Sequence, residues 1–231
     1  QESLARTMPS PLSDEGEPTG ATAFDVAVQN LARAQVTMFR CPSQPGDIVE
    51  SVSVGGMSNR FKTSYLGCTG WNATTPDYDT SAVIDMTESN GMFRVTASQN
   101  GIDPDSWEVT KLNYVTDGLS STLLLGESTY ASTAGDGCSL CHRFSIYHPE
   151  FDTSTSGGNN FSQCLGSCFF EPNHENPTEH MERQISFSSE HPGGCNMALC
   201  DGSVRFFSDD IEISVWHAMA SINGGEIIRE D

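Results

Sequence analysis

"SSEHPGGCNMALCDGSVRF", Ser188 to Phe206, sets an apolar run on each side of Asp201-Gly202 and places His191 ahead of that dipeptide with nine residues between. Asp-Gly flanked by apolar runs predicts a β-hairpin, because a two-residue type I′ loop needs positive φ at both central positions. With that loop, Cys200 opposes Ser203, Leu199 opposes Val204, and Met197 opposes Phe206. Side chains alternate between the faces of a strand. The expected core face therefore carries Cys195, Met197, Leu199, Val204 and Phe206, and the wetter face carries Asn196, Ala198, Cys200, Ser203 and Arg205. Cys195 and Cys200 fall on opposite faces, about 16 Å apart along an extended strand, so neither bridges the other. Ahead of the hairpin, His191-Pro192-Gly193-Gly194 reads as a turn, Pro192 fixing φ and the glycines allowing tight geometry. The His191 ring is expected to bond backbone or the Asp201 region; a metal-binding or catalytic role is the alternative.

The chain has 231 residues, 36% of them hydrophobic, with 21 glycines and a formal net charge of −20. Such acidity repels a phosphate backbone and so excludes nucleic acid as partner; it also opposes docking on anionic lipid. It suits solubility after export and offers carboxylates to divalent cations. No run of 18 apolar residues exists to span a bilayer. Residues 1–20 are polar and rich in turn formers, read as a flexible segment and not as a signal peptide, so any export signal or anchor is expected upstream. Residues 21–231 read as a single domain. The eight cysteines Cys41, Cys68, Cys138, Cys141, Cys164, Cys168, Cys195 and Cys200 point to an oxidising, extracytoplasmic compartment and up to four disulfides of open connectivity. Two sequons, at Asn72 and Asn160, fit surface loops.

Along the chain, Phe24, Val28, Leu31 and Ala32 recur at helical spacing, with Thr22 or Asp25 as cap. Val36 to Phe39 reads as a strand closed by Pro42, "TSYLGCTGW" as a strand, and Gly91 to Ala97 as a short strand or extended edge. Asp117-Gly118 leads into a buried strand, Ser121 to Leu125, that ends at Gly126-Glu127. Residues 129–185 are polar, hold half the cysteines and four of the six histidines, and lack clean periodicity; they read as a long cross-linked insertion. A final helix carries Ile211, Val215, Met219 and Ile222 on one stripe, capped by Asp209 or Asp210 and stopped by Gly224-Gly225.

Six of these stretches together, "FRCPSQP", "SYLGCTGW", "NGMF", "VTDGLSSTLLLGES", "SSEHPGGCNMALCDGSVRF" and "ISVWHAMASINGGEII", resemble the bacterial prepilin-like proteins with a His-x9-Asp-Gly C-terminal segment. That large family, expanded in planctomycetes, has no established function. The resemblance covers about residues 36–228 in the family's order. It implies a pilin- or pseudopilin-like export route and a globular head: an α+β fold with an antiparallel sheet, flanking helices and a disulfide-stapled, loop-rich insertion. The hydrophobic N-terminal helix of prepilins is absent from this sequence. The resemblance supplies no catalytic residues.

The sharpest chemical motif is Cys138-x-x-Cys141-His142, the attachment pattern of c-type haem, with His148, His174, His180 or Met181 as second axial ligand. Disulfides are the competing reading, since Cys164 and Cys168 echo the pair; zinc held by Cys138, Cys141, Cys164 and Cys168, or with His142 replacing one, is the third. His174 and His180, among Glu175, Glu179 and Glu182, form a candidate metal group. Asp77/Asp79, Asp103/Asp105 and Asp209/Asp210 are candidate calcium carboxylates without EF-hand order. No nucleophile elbow, phosphate loop or His-Glu-x-x-His helix occurs. Trp71, Trp107 and Trp216 read as core anchors.

The expectation is a non-enzymatic, secreted or surface-exposed pilin-like protein without a resident cofactor, acting through protein partners in an envelope, filament or secretion-associated assembly. His191, Asp201, Gly202, Cys41, Cys68, Cys164, Cys168, Cys195 and Cys200 are expected in structural roles. A monohaem electron-transfer protein and an extracellular ligand-binding module are the alternatives.

Overall fold

The computed structural model describes residues 23–50, 58–72, 89–93, 110–129, 164–174, 182 and 185–225. Helix α1 (Ala23–Ala32) leads through a 3-10 turn (Thr37–Phe39) to the small pair β1 (Val49–Glu50) and β2 (Arg60–Phe61). A second sheet holds β3 (Tyr65–Cys68), β4 (Leu123–Glu127), β5 (Leu165–Gly166), β6 (Gly194–Leu199) and β7 (Val204–Ser208) in the order β5-β3-β4-β6-β7, and helix α2 (Ile213–Ala220) follows. All its pairings are antiparallel except β3 with β5. The fold is therefore α+β with one mixed sheet and few helices. No helix of the described residues is long and apolar enough to cross a membrane.

The hairpin forms, but one residue out of the expected register. Ala198 faces Val204, Asn196 faces Phe206, and Cys195 faces Phe207. The loop holds three residues, Cys200-Asp201-Gly202: the Gly202 N–H donates to the Leu199 carbonyl at 2.9 Å, and Leu199 N–H to the Ser203 carbonyl at 2.8 Å. Only Gly202 takes positive φ, at 86°, while Asp201 does not. This is the three-residue loop with a left-handed glycine bulge, in place of the two-residue type I′ loop. The Asp201 carboxylate selects it by accepting from Ser203 N–H at 2.8 Å and Ser203 Oγ at 2.6 Å. Because the side-chain period is two, a one-residue slip reverses a whole strand. Val204 and Phe206 are 66% and 52% exposed, and Phe207 takes the core position instead.

One face of the sheet packs against α2. Leu66, Cys68, Leu123, Cys195, Met197 and Leu199 are fully buried there, with Phe187, Phe207, Trp216 and Met219. Trp216 is the centre: its ring meets Phe187 edge-on at 6.3 Å and Phe207 at 5.6 Å, and its indole N–H donates to the Phe170 carbonyl at 2.9 Å. Truncating a residue so placed to alanine costs about 3–5 kcal/mol. Gly126 permits the close contact of β4 with this layer, since a methyl there would overlap Met197 Sδ and Phe187 Cδ1.

Several expectations change. Val36 to Phe39 is not a strand; it finds no ladder partner and closes a 3-10 turn through Phe39 N–H to the Val36 carbonyl at 2.8 Å. Gly91 to Phe93 forms bends, tied to β3 by Phe93 N–H to the Cys68 carbonyl at 3.0 Å, and residues 94–97 lie outside the described residues. Strand β4 runs two residues later than expected and so includes Glu127. Glu212, not Asp209 or Asp210, stands at the start of α2, while Asp209 accepts from Asn173 Nδ2 at 2.7 Å. Helix α2 ends at Ala220 with Ser221 as C-cap, ahead of Gly224-Gly225 where the stop was expected; the two glycines are instead held by Asp117, whose carboxylate accepts from both their N–H groups, at 2.7 and 3.0 Å. Within the expected insertion, residues 164–174 supply edge strand β5 and core residue Cys168. The six described cysteines are all thiols, so the expected staples are not formed among the described residues; Cys68, Cys168 and Cys195 instead serve as fully buried core side chains.

Candidate functional site

The other face of the sheet is a groove of about 800 Å³ lined by Tyr65, Leu125, Ala198 and Val204 from four strands, with Met38 and Phe93 at its rims. Met38, Phe93, Leu125, Val204 and Phe206 expose between 37% and 66% of their surface. At one end of this groove stands a carboxylate, Glu127, 5% exposed and directly across from Tyr65.

Three segments meet at Glu127. A bulge in β4 between Leu123 and Leu125 leaves Gly126 facing the core, and the alternation then turns Glu127 to the groove side. The 3-10 turn delivers Cys41: Ser64 N–H and Thr63 Oγ1 both donate to the Phe39 carbonyl, at 2.8 and 3.1 Å, anchoring the segment beside β3. The His-Pro-Gly-Gly turn brings His191, whose N–H donates to Ser189 Oγ at 3.0 Å. Cys41 Sγ lies 3.7 Å from His191 Nε2, and Glu127 Oε1 lies 3.3 Å from the same nitrogen. Glu127 Oε2 accepts from Asn196 N–H at 2.7 Å and Asn196 Nδ2 at 3.1 Å, which fixes the carboxylate and leaves Oε1 turned to the imidazole. Burial, aided by Cys41 and Glu127, pushes the Tyr65 phenol up from its ordinary value.

This arrangement differs from that of a Cys-His-acid proton relay. A Cys-His-acid triad uses one ring nitrogen for the nucleophile and the other for the acid. Here thiol and carboxylate address a single nitrogen. Convergence of sulfur, nitrogen and oxygen within 4.8 Å of one another is instead what a metal-ligand set looks like.

His191 thus turns its ring to Glu127 and Cys41, not to backbone or the Asp201 region as expected for a structural role; the alternative, a metal-binding or catalytic role, stays open. Asp201 and Gly202 shape the hairpin loop at the opposite end of β6. His174 is placed as an ion-pair partner: Nδ1 meets Glu171 and Nε2 meets Glu182, both at 2.9 Å, so neither nitrogen faces an open position. Burial acts to lower the His174 pKa, but the two carboxylates outweigh it and the net shift is upward. Cys138, Cys141, His142, His148, His180, Met181 and Trp107 lie outside the described residues, as do Asp77, Asp79, Asp103 and Asp105. Cys68 and Cys168 bring their sulfurs to 3.9 Å inside the core. Burial pushes the Cys195 thiol up to about 12 and the Cys200 thiol up to about 11, and it raises Cys168 as well, which makes all three poor nucleophiles. Trp71 stacks on His217 at 4.8 Å, half-buried beside the core.

Sequence reasoning treated Cys41 only as a cysteine to be paired and passed over Glu127. The available signal was "STLLLGES": an apolar run that ends on a charged residue inside the strand demands a partner for that charge.

No curated protein and no solved structure matches the chain. A family model does, over residues 9–214, and by that match the chain belongs to a family of proteins of unknown function, DUF1559.

Proposed function

We propose that this protein acts outside the cytoplasm as the pilin-like head of a surface, filament or secretion-associated assembly, with a structural and binding role and no catalysis. The observation that carries the reading is the two-faced sheet. One face is closed by α2 and its aromatic layer, while the other presents Leu125, Val204 and Phe206 to solvent around an apolar groove. Apolar side chains gathered in the open on one face support a role in binding another surface. The resemblance of the six quoted stretches to prepilin-like proteins supports the export route, and the high negative charge agrees with it. In an oxidising compartment, Cys68 and Cys168 are the described cysteines that packing brings nearest to bonding.

The test is photo-cross-linking in the source cells with benzoylphenylalanine at Val204, and at Glu212 on the far side of the sheet as control. The reading predicts an adduct from position 204 in the envelope or extracellular fraction and none from 212. A cytosolic protein, or equal yields from the two positions, would contradict it.

A further inference from the structure

Glu127, Cys41 and His191 come from three elements, separated in sequence by 86 and 64 residues (127 − 41 and 191 − 127), yet their ligand-type atoms share one small volume. Read as hydrogen bonds, only one of the contacts can be made by Nε2–H, since the nitrogen carries at most one proton and cannot donate to both Cys41 Sγ and Glu127 Oε1 along good lines. Read as edges of a coordination tetrahedron, these two agree; the third, Cys41 Sγ to Glu127 Oε1, lies within 4.8 Å and closes to about 3.6 Å on an ion. Metal bonds of about 2.3 Å to sulfur and about 2.0–2.1 Å to nitrogen and oxygen place S and N about 3.6 Å apart, and N and O about 3.3 Å apart. The structure has 3.7 and 3.3 Å.

Two further features point the same way. Glu127 Oε2 is held by two donors from Asn196, the support that a ligating carboxylate takes from its surroundings. Beside Cys41 and Glu127 is a cavity of about 10 Å³, which Gln44, Ser64, Ser188 and Ser189 also line. That is room for about one water. The Gln44 side-chain Nε2 is buried and has no acceptor among the described residues. A water held in that cavity would supply the acceptor.

We propose that Cys41 Sγ, Glu127 Oε1 and His191 Nε2 bind one divalent transition-metal ion of the zinc class, with water in the fourth position. Thiolate and imidazole select this class over calcium or magnesium, which take all-oxygen shells. The ion cross-links the 3-10 segment and the His-Pro-Gly-Gly turn to the end of β4, and so fixes the rim of the apolar groove. Binding displaces the thiol proton to solvent. This inference is independent of the proposed assembly role and stands or falls apart from it.

The test is a titration of the full chain, reduced and stripped with a chelator, with Co²⁺ as the spectroscopic probe and Zn²⁺ as competitor. One equivalent with a thiolate-to-cobalt charge-transfer band, displaced by Zn²⁺, is expected. Cys41→Ser removes that band. His191→Ala weakens this equivalent about a hundredfold or more, beyond the range typical of losing a supporting residue around a metal, and Asn196→Ala weakens it about 10- to 100-fold. His174→Ala leaves it unchanged. Thermal unfolding of each metal-free variant confirms that it folds. Since Cys41→Ser is nearly isosteric and His191 is about one-third exposed, these two carry the test even if Glu127→Gln does not fold. Parent-like stoichiometry, spectrum and affinity in both Cys41→Ser and His191→Ala would overturn the proposal, as would a parent that binds no cobalt.

Discussion

His174 lies between two carboxylates and stacks on Phe170 at 4.3 Å. Its pKa is raised above 6.5, while that of Glu171 is lowered below 4.5, first by its hydrogen bond to His174. The signs fix where the clamp stabilises. A raised imidazole contributes fully below its unfolded value and loses the contribution as pH rises through the folded one; a lowered carboxylate contributes above its unfolded value and loses it as pH falls through the folded one. The stabilisation is therefore fullest between the two unfolded values, 4.5 and 6.5. The Tm difference between the parent and His174→Ala is predicted to be larger at pH 5.5 than at pH 8.5. Equal differences at both pH values would show that the clamp does not titrate.

Among the elements, β4 carries the most consequences per residue. Its bulge places a glycine on the crowded core face and a glutamate on the groove face, so the packing of Trp216's layer and the Cys41–Glu127–His191 cluster share one backbone irregularity. Gly126→Ala is predicted to destabilise by about 1–3 kcal/mol through overpacking against Met197 and Phe187, measured by urea unfolding. A change below about 0.5 kcal/mol would mean that β4 has room to shift. This element also shows what local reasoning reaches. An apolar run after Asp117-Gly118 was enough to read a strand, because burial on one face leaves that pattern. The bulge was not legible, since it depends on which carbonyls of β6 are in reach. The hairpin behaves alike: Asp-Gly announces the turn, but Ser203, through its two bonds to Asp201, decides between a two- and a three-residue loop, and with it the face of Val204 and Phe206.

For the whole molecule, a sheet with one closed and one open face joins fold to proposed role. The core was readable where a single strand sufficed: Cys195, Met197 and Leu199 alternate inward as their spacing requires. The cluster at Glu127 was not, because its members are distant in sequence and meet only once β3, β4 and β6 are aligned. The register that opens the groove separates two adjacent phenylalanines, and charge substitution at each tests it. By chemical denaturation of the full chain, Phe207→Glu should cost about 3–5 kcal/mol or more, since it buries a carboxylate against Trp216. Phe206→Glu should stay within about 0.5 kcal/mol of the parent, its ring being 52% exposed. The reverse order, with Phe206→Glu the more damaging, would put Val204 and Phe206 in the core and remove the open face on which the account rests.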